Sequence, residues 1–391
     1  MPTIHLSQEG STTGAHGQYL ICAEVTLDDE RTHTGFGRDA DQQIAQDKAI
    51  SEAIERLAFR TLPDTQWATA AQMPSRIEPD ALVRYLPEQY ADPSFCIAAF
   101  REDVPYHWVA MRDVMDNSIT YALADFVCSP AAFTPTYLSQ LVTHATSSGC
   151  ASGPDLNTCI ERAVLELVER DAFMRHWFAQ QPGRSIDRNT LPDDLRERVE
   201  HLEHLGAASG VQCLHLGHHP TWMVWVQREA AHFTTVGSAC SFDAEGALRN
   251  AFAEAEALAL AHMDAPLDHA IEPANVRTPA DHRTLYATPA YFRQADRLWA
   301  DSGDSAPYAK AAATFRGDAA TLFNRLGTAG HRPCWTELAP PGGTPVIGDR
   351  AIHTVRALAP GLIPISFGYR REPLGMDCWR QAVPGAIHPF A

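Results

Sequence analysis

Several common sequence features are missing from this chain of 391 residues. No run of about eighteen apolar residues occurs, which argues against a transmembrane helix. The first residues lack a basic segment followed by an apolar one, so no secretory signal is expected. The nine cysteines include no Cys-x-x-Cys pair, which disfavours a disulfide framework or a cysteine zinc site. We therefore expect a cytoplasmic protein with reduced thiols and no membrane association.

The chain also has fewer basic residues than acidic ones. The chain has 31 lysines and arginines against 48 aspartates and glutamates, and its net charge is −17. Such a charge disfavours unspecific binding to nucleic acid, so we expect no nucleic-acid partner. A nucleotide would need a local site, in which a divalent cation offsets the phosphate charge.

The most informative segment runs from Ser147 to Trp177. Its first part, Ser147 to Gly153, is predicted to be a loop of small residues, and a long helical pattern follows. Glu166 and Glu169 are three residues apart, so a helix places them on one face about a turn apart. Their neighbours are apolar, and two carboxylates beside buried surface indicate a metal or a cationic partner. A single Glu-x-x-Glu-Arg pattern is also explained by an ordinary charged helix face.

An internal repeat argues against explaining the Glu-x-x-Glu-Arg pattern as an ordinary charged helix face. The alignment brings together three sets of residues: the aspartates Asp41, Asp155 and Asp243; the small residues Ala45, Cys159 and Ala247, with Ala49, Ala163 and Ala251; and the glutamates Glu52, Glu166 and Glu254. Two copies continue into Glu55-Arg56 and Glu169-Arg170, whereas the third has Ala257 and Leu258. The repeat predicts three equivalent helices, at about 41–60, 155–178 and 243–262, that each contribute a glutamate.

Other segments have simpler interpretations. Residues 19–27 read as a buried strand and 32–43 as a glycine-containing loop. Two strands flank residues 115–117 in a predicted hairpin, residues 191–210 form a predicted helix, and strands are expected at 211–217, 221–230 and after residue 331. Helices are expected on the outside within 267–330. His215, His218 and His219 are interpreted as loop residues rather than metal ligands, and Cys150 and Cys159 as packing residues.

These motifs together resemble those of the YcaO family. The resemblance rests on the small residues Ser147, Gly149, Ala151 and Gly153, then Glu166, Glu169, Arg170, Asp171 and Ala172. Residues 51–56 look like the family's first Glu-x-x-Glu-Arg helix, 237–257 like its third region, and 359–368 like the C-terminal region of azoline-forming members. The resemblance implies one domain over 1–391, with an α/β (α+β) fold. In it, repeated strand–loop–helix units would line a nucleotide site.

The resemblance also implies an activity. Family members use ATP and Mg²⁺ to phosphorylate the oxygen of a peptide amide. A Cys, Ser or Thr side chain as nucleophile gives a thiazoline or oxazoline, sulfide gives a thioamide, and an amine gives an amidine. We expect a cyclodehydratase that acts on a ribosomally made precursor peptide in the biosynthesis of a peptide natural product such as a bacteriocin. A thioamide- or amidine-forming enzyme, or a non-catalytic scaffold subunit, are the alternatives.

Site residues follow from the same resemblance. Those implied as Mg²⁺–phosphate ligands are Glu52, Glu55, Glu166, Glu169 and Glu254, with Arg56, Arg170 and Ser148 at the nucleotide. The C-terminal tail, 381–391, is implied to lie at the active site through His388, Pro389 and Ala391. It keeps one proline of the family's Pro-x-Pro-x-Pro pattern, and Ala257 stands where the family has a glutamine.

Partners are implied as well. The resemblance implies a separate ThiF-like protein that binds the leader of the precursor peptide. A flavin-dependent dehydrogenase, which would oxidise the rings, and a homodimer are further expectations.

Overall fold

The computed structural model describes residues 3–8, 19–27, 30–264, 271–300, 302–376 and 386–390. Their contacts divide into two compact units. Within the described ranges, the first unit holds 3–8, 19–27, 30–167 and 319–364. The second unit holds the remaining described residues, from Val168 onwards.

Fifteen strands and ten α-helices are found in the described ranges. The strands are β1 Thr3–Gln8, β2 Tyr19–Thr26, β3 Thr32–Asp39, β4 Gln66–Ala68, β5 Tyr106–Asp113, β6 Ile119–Leu123, β7 Cys150–Gly153, β8 Arg184–Ser185, β9 Ala208–Leu214, β10 Thr221–Arg228, β11 Phe233–Ala239, β12 Cys334–Leu338, β13 Val346–Ile347, β14 Arg350–Ala351 and β15 His353–Leu358. The α-helices are α1 Gln42–Phe59, α2 Pro79–Leu82, α3 Pro87–Tyr90, α4 Ala124–Val127, α5 Leu156–Ala179, α6 Asp193–His204, α7 Ala244–Asp264, α8 Pro279–Leu285, α9 Tyr308–Ala312 and α10 Ala319–Thr328. Short 3₁₀ helices span Ala70–Gln72, Pro130–Ala132, Leu138–Gln140, Arg188–Thr190, Glu229–Ala231, Pro273–Asn275 and Phe292–Leu298.

The first unit contains two main antiparallel sheets. One has the order β1-β2-β3, and the other has the order β4-β5-β12-β15-β7, with β6 paired to β5. Helix α1 packs on β2 and β3 and also contacts β7 and β15. Trp108 and Met111 of β5 are fully buried in the core of the larger sheet. This packing holds α1 beside both sheets.

The second unit has one antiparallel sheet with the order β11-β10-β9-β8. Helix α7 packs on β11 and β10, and α6 packs on β9. Trp222, Phe252 and Leu195 are fully buried between these elements. Helix α7 confirms the third helix of the repeat, which the sequence predicts at about 243–262.

The prediction of a loop over 32–43 is wrong, because residues 32–39 form strand β3. Gly35 lies where this strand approaches α1, and a side chain there would overlap the backbone of Ala49 and Ala53. The glycine therefore serves a close helix–strand contact rather than a turn. The predicted loop from Ser147 to Gly153 is wrong in its second half, because residues 150–153 form strand β7, in which all four residues are buried.

The hairpin around 115–117 is confirmed, with β5 paired antiparallel to β6. The strand over 19–27 is also confirmed, as β2. The helix predicted over 191–210 extends too far, since α6 ends at His204. Gly206 has a φ of 78°, which ends the helix, and Ala208 already begins β9.

The mixed α/β class predicted from the sequence is confirmed. That 1–391 form one domain stays a prediction. The eight cysteines in the described part of the chain are free thiols. Among the helices described, none combines the length and the apolar character needed to cross a bilayer.

Candidate functional site

The three helices of the predicted repeat begin in the same way. The side chains of Asp41, Asp155 and Asp243 each accept a hydrogen bond from a backbone N–H two or three residues later, at 2.8, 2.7 and 3.1 Å. Each aspartate therefore caps its helix, which satisfies a backbone donor that would otherwise lack a partner. The sequence alignment on these aspartates is confirmed as an alignment of helix starts.

The small residues of the repeat are the packing face of these helices. All six have at most 1% exposure, and they are Ala45, Ala49, Cys159, Ala163, Ala247 and Ala251. In α1 and α7, the strand glycines Gly35 and Gly237 lie against equivalent turns of the helix, where any side chain would overlap helix backbone. Short side chains at these positions therefore fix how closely each helix lies to its strand.

The three aligned glutamates each accept an equivalent hydrogen bond from the backbone. Glu52, Glu166 and Glu254 each accept from a backbone N–H located 16 or 17 residues earlier. The donors are Phe36, Gly149 (3.0 Å) and Ser238 (2.9 Å). One oxygen of each carboxylate is thus fixed to the preceding strand or to the residue before it, which gives the three side chains a preset orientation.

In the first unit, Glu55 is the centre of a cluster of carboxylates. Burial and the negative charges of Glu166 and Glu52 raise the pKa of Glu55 from 4.5 to about 8, although Arg56 and Arg356 act in the opposite direction. The Glu52 carboxylate pairs with Arg56 at 2.7 Å. Glu55 itself makes no hydrogen bond or ion pair with any residue that the structure describes. A carboxylate in this setting is an available oxygen ligand for a cation.

Arg356 was missed by the sequence analysis. It lies on β15 with 5% exposure, and it donates to the carbonyl oxygens of Phe126 (2.7 Å), Thr146 (2.8 Å) and Ser148. The signal available in the sequence was a single arginine inside the apolar pattern of 353–358. Ser148, predicted at the nucleotide, is therefore held through its backbone by a buried cation of the same unit.

In the second unit, Glu169 is buried and is held by hydrogen bonds and an ion pair. It accepts from the Ser238 hydroxyl at 2.6 Å and from the Cys240 N–H at 3.1 Å, and it pairs with Arg170 at 2.9 Å. Ser238 also donates its backbone N–H to Glu254. Strand β11 therefore positions both predicted glutamates of this unit.

The described part of the C-terminal tail, residues 386–390, lies in the second unit. The Arg170 guanidinium is 4.1 Å from the centre of the Phe390 ring, and His388 is buried with its Nε2 at 2.8 Å from the Ser366 carbonyl oxygen. Pro389 lies between His388 and Phe390 in the sequence, and Ala391 is outside the described residues. The predicted tail residue His388 is thus brought near the predicted nucleotide residue Arg170.

The residues suit Mg²⁺ and a nucleotide. Carboxylate oxygens are the protein ligands that Mg²⁺ prefers, and like-charge repulsion at Glu55 is what a divalent cation would relieve. Within the described ranges, no three His, Cys, Asp or Glu residues converge into a preformed metal cage. Mg²⁺ commonly uses one or two protein carboxylates and completes its shell with phosphate oxygens and water, so this donor set fits a metal that arrives with ATP.

The predicted loop histidines lie between β9 and β10. The His215 N–H donates to Nε2 of the buried His176 at 3.1 Å, and His219 Nε2 lies 3.2 Å from the Ser241 carbonyl oxygen. These contacts connect the loop to neighbouring backbone, and the interpretation that these histidines are not metal ligands stays a prediction.

Comparison with known proteins adds a family. A family model described as "YcaO cyclodehydratase, ATP- and Mg²⁺-binding" matches residues 36–363. This confirms the family predicted from the sequence, and it confirms ATP and Mg²⁺ as the family's cofactors. A comparison with curated proteins gives no match.

Solved structures share the fold. A heterocyclase in complex with substrate and cofactor is 16% identical, with a TM-score of 0.74 over 98% of this chain and 53% of its own. YcaO from Methanopyrus kandleri bound with AMPPCP and Mg²⁺ is 14% identical, with a TM-score of 0.61 over 97% and 88%. The E. coli microcin synthetase McbBCD complex is 12% identical, with a TM-score of 0.63 over 92% and 87%. This chain spans about half the length of the first of these proteins.

Proposed function

The chain belongs to the YcaO family, and from that premise we propose that it is an ATP- and Mg²⁺-dependent cyclodehydratase that forms azolines in a precursor peptide. Its substrates would be Cys, Ser or Thr residues of a ribosomally made peptide. Their side chains would attack the preceding backbone carbonyl, and the ring would close with loss of water.

The observation that carries the proposal is the Glu55 cluster. A half-buried carboxylate next to two others, with no partner among the described residues, is unfavourable unless a proton or a cation occupies the site. We propose that Glu52, Glu55 and Glu166 of the first unit are Mg²⁺–phosphate ligands. Glu169 and Glu254 of the second unit are proposed for the same role.

The chemistry needs an activated oxygen, because an amide oxygen is a poor leaving group. ATP bound with Mg²⁺ supplies the phosphoryl group that turns this oxygen into phosphate. The chain's own residues hold charge in fixed positions: backbone N–H groups orient the glutamates, and Arg56 and Arg170 supply fixed positive charge at those carboxylates. We place Ser148 at the nucleotide and His388, Pro389 and Ala391 at the reacting centre.

An azoline rather than a thioamide product is proposed because of the tail. Phe390 of the tail contacts Arg170, and residues 359–368 resemble the C-terminal region of azoline-forming members. In an azoline-forming reaction a side chain of the peptide itself is the nucleophile, so neither sulfide nor an added amine is needed. We further propose a ThiF-like protein that binds the leader of the peptide, a flavin-dependent dehydrogenase that acts afterwards, and work in the cytoplasm.

The test is an incubation of the chain with its partner protein, the precursor peptide, ATP and Mg²⁺, followed by mass spectrometry of the peptide. We expect loss of one water for each ring formed, in proportion to the phosphate released. Replacement of oxygen by sulfur, or a product that depends on an added amine, would assign the chain to another reaction. A peptide that binds without any change in mass, together with no nucleotide binding by calorimetry, would leave only a scaffold role.

A further inference from the structure

Three consecutive carbonyl groups of the C-terminal tail are each held by a different side chain of the second unit. The pairs are Trp177 Nε1 with the Ala386 oxygen (3.1 Å), the Tyr286 hydroxyl with the Ile387 oxygen (2.8 Å) and His282 Nδ1 with the His388 oxygen (2.9 Å). The three donors come from α5 and α8 and from the residue that follows α8. They share no sequence motif.

The proton on His282 can be placed from its contacts. The Gly368 N–H lies 3.0 Å from His282 Nε2, so that nitrogen accepts a hydrogen bond. A neutral imidazole that accepts at Nε2 carries its proton at Nδ1, which then donates to the His388 carbonyl. Burial lowers the pKa of His282 from 6.5 to about 4, so the ring is neutral near pH 7.

All three donor side chains are buried. Trp177, Tyr286 and His282 each have 1% exposure, and Ile387 and Phe390 of the tail have 4% or less. Hydrogen bonds in such a setting are costly to lose, because water does not replace the missing partner. The contacts therefore hold the tail firmly in place.

We propose that Trp177, Tyr286 and His282 form a main-chain clamp that positions the tail, and through Phe390 positions Arg170. They are positioning residues for the nucleotide site. Their effect on the KM for ATP rests on the proposed function, whereas the clamp itself rests on the contacts alone.

The clamp binds backbone carbonyl oxygens, so it places little restriction on which side chains the tail carries. Every residue has a carbonyl, and proline lacks only the N–H. The three hydrogen bonds of the clamp therefore form without proline at Ala386, Ile387 or His388.

The clamp connects to the predicted ligands through one aromatic contact. Phe390 lies two residues beyond the last gripped carbonyl, with its ring 4.1 Å from the Arg170 guanidinium. Arg170 in turn pairs with Glu169 at 2.9 Å. A cation over an aromatic face is held electrostatically, so release of the tail would free Arg170 to move away from Glu169.

The experiment uses the full chain and the variant Tyr286→Phe, which deletes one donor and keeps the ring. We expect hydrogen exchange of the peptide covering 386–390 to accelerate about 10-fold, which corresponds to one buried hydrogen bond. The KM for ATP should rise by a similar factor. Tyr308→Phe is the matched control, because its hydroxyl makes no hydrogen bond with any described residue and it lies in the same unit.

A second variant separates main-chain from side-chain recognition. Ile387→Val keeps the carbonyl, so tail exchange should stay within about twofold of the wild type. Equal exchange in Tyr286→Phe and wild type, or Ile387→Val loosening the tail as much as Tyr286→Phe, would overturn the clamp. Faster tail exchange with an unchanged KM for ATP would overturn the positioning of Arg170. If the wild type uses no ATP, the proposed function fails, and the exchange rates still decide the clamp.

Discussion

The backbone N–H of Ser238 donates to the carboxylate of Glu254 at 2.9 Å, across sixteen residues of chain. The same relationship recurs for Glu52, and for Glu166 with one additional residue. An amide side chain retains the acceptor oxygen of this hydrogen bond but loses the negative charge. It is therefore possible to change the charge at these positions with little effect on the local structure.

Glu166→Gln should reduce ATP-dependent turnover of the peptide by at least about 100-fold, because one of the proposed Mg²⁺–phosphate ligands loses its charge. The Gly149 N–H keeps an acceptor, so the midpoint of urea unfolding should stay near that of the wild type. Phosphate release and circular dichroism measure the two effects. Glu88→Gln, at an exposed position in α3, is the control and should match the wild type. Turnover retained by Glu166→Gln would remove this residue from the site.

Gly35→Ala should destabilise the protein by about 1–3 kcal/mol, since its methyl group would overlap the backbone of α1. Gly327→Ala is the matched control in the first unit. It lies in α10, where the nearest atom to a new Cβ would be 3.9 Å away, and an alanine there favours the helix. Chemical denaturation of the two variants measures the difference. Equal stabilities would contradict the close contact between β3 and α1.

Buried histidines should make the protein sensitive to acid. Burial lowers the pKa values of His176, His262 and His282 from 6.5 to about 4. The unfolded chain therefore binds more protons than the folded one between these values, and stability falls as pH falls from 6.5 towards 4. Each group contributes at most about 1.4 kcal/mol per pH unit.

A variant isolates one of these groups. His262 stacks on Phe233, and its Nε2 has no hydrogen-bond partner in the described part of the chain. In His262→Phe the fall of unfolding free energy from pH 6.5 to 5 should be shallower than in the wild type. An identical slope would show that His262 titrates alike in both states.

Glu55 gives the folding stability a pH dependence opposite in direction to that of the histidines. Its pKa is raised from 4.5 to about 8, so the folded state holds the extra proton, and stability falls as pH rises between these values. Without Mg²⁺ and nucleotide, Glu55→Gln should therefore gain stability over the wild type as pH increases from 5 to 8. Thermal unfolding at each pH checks the trend, and a difference that is constant with pH would contradict it.

The sequence predicted the parts of the site that repeat. Asp41, Ala45 and Glu52 recur at fixed spacing, and helix geometry then gives each the same cap, the same packing and the same face. Gly35 was misinterpreted, because a glycine that permits close packing looks like a glycine in a turn. Arg356, and the donation from Ser238 and Cys240 to Glu169, were missed, since these contacts join residues distant in sequence. Trp177, Tyr286 and His282 were missed for the same reason.

If Glu55 is a Mg²⁺ ligand as proposed, its raised pKa makes cation binding an exchange of Mg²⁺ for a proton. Near neutral pH this carboxyl group holds a proton, and Mg²⁺ would bind the deprotonated form, so each ion that enters should expel a proton. The heat of binding will then contain the ionisation heat of the buffer that takes up that proton. Titrations in phosphate and in Tris, whose ionisation heats differ, should give different apparent enthalpies for wild type and the same enthalpy for Glu55→Gln.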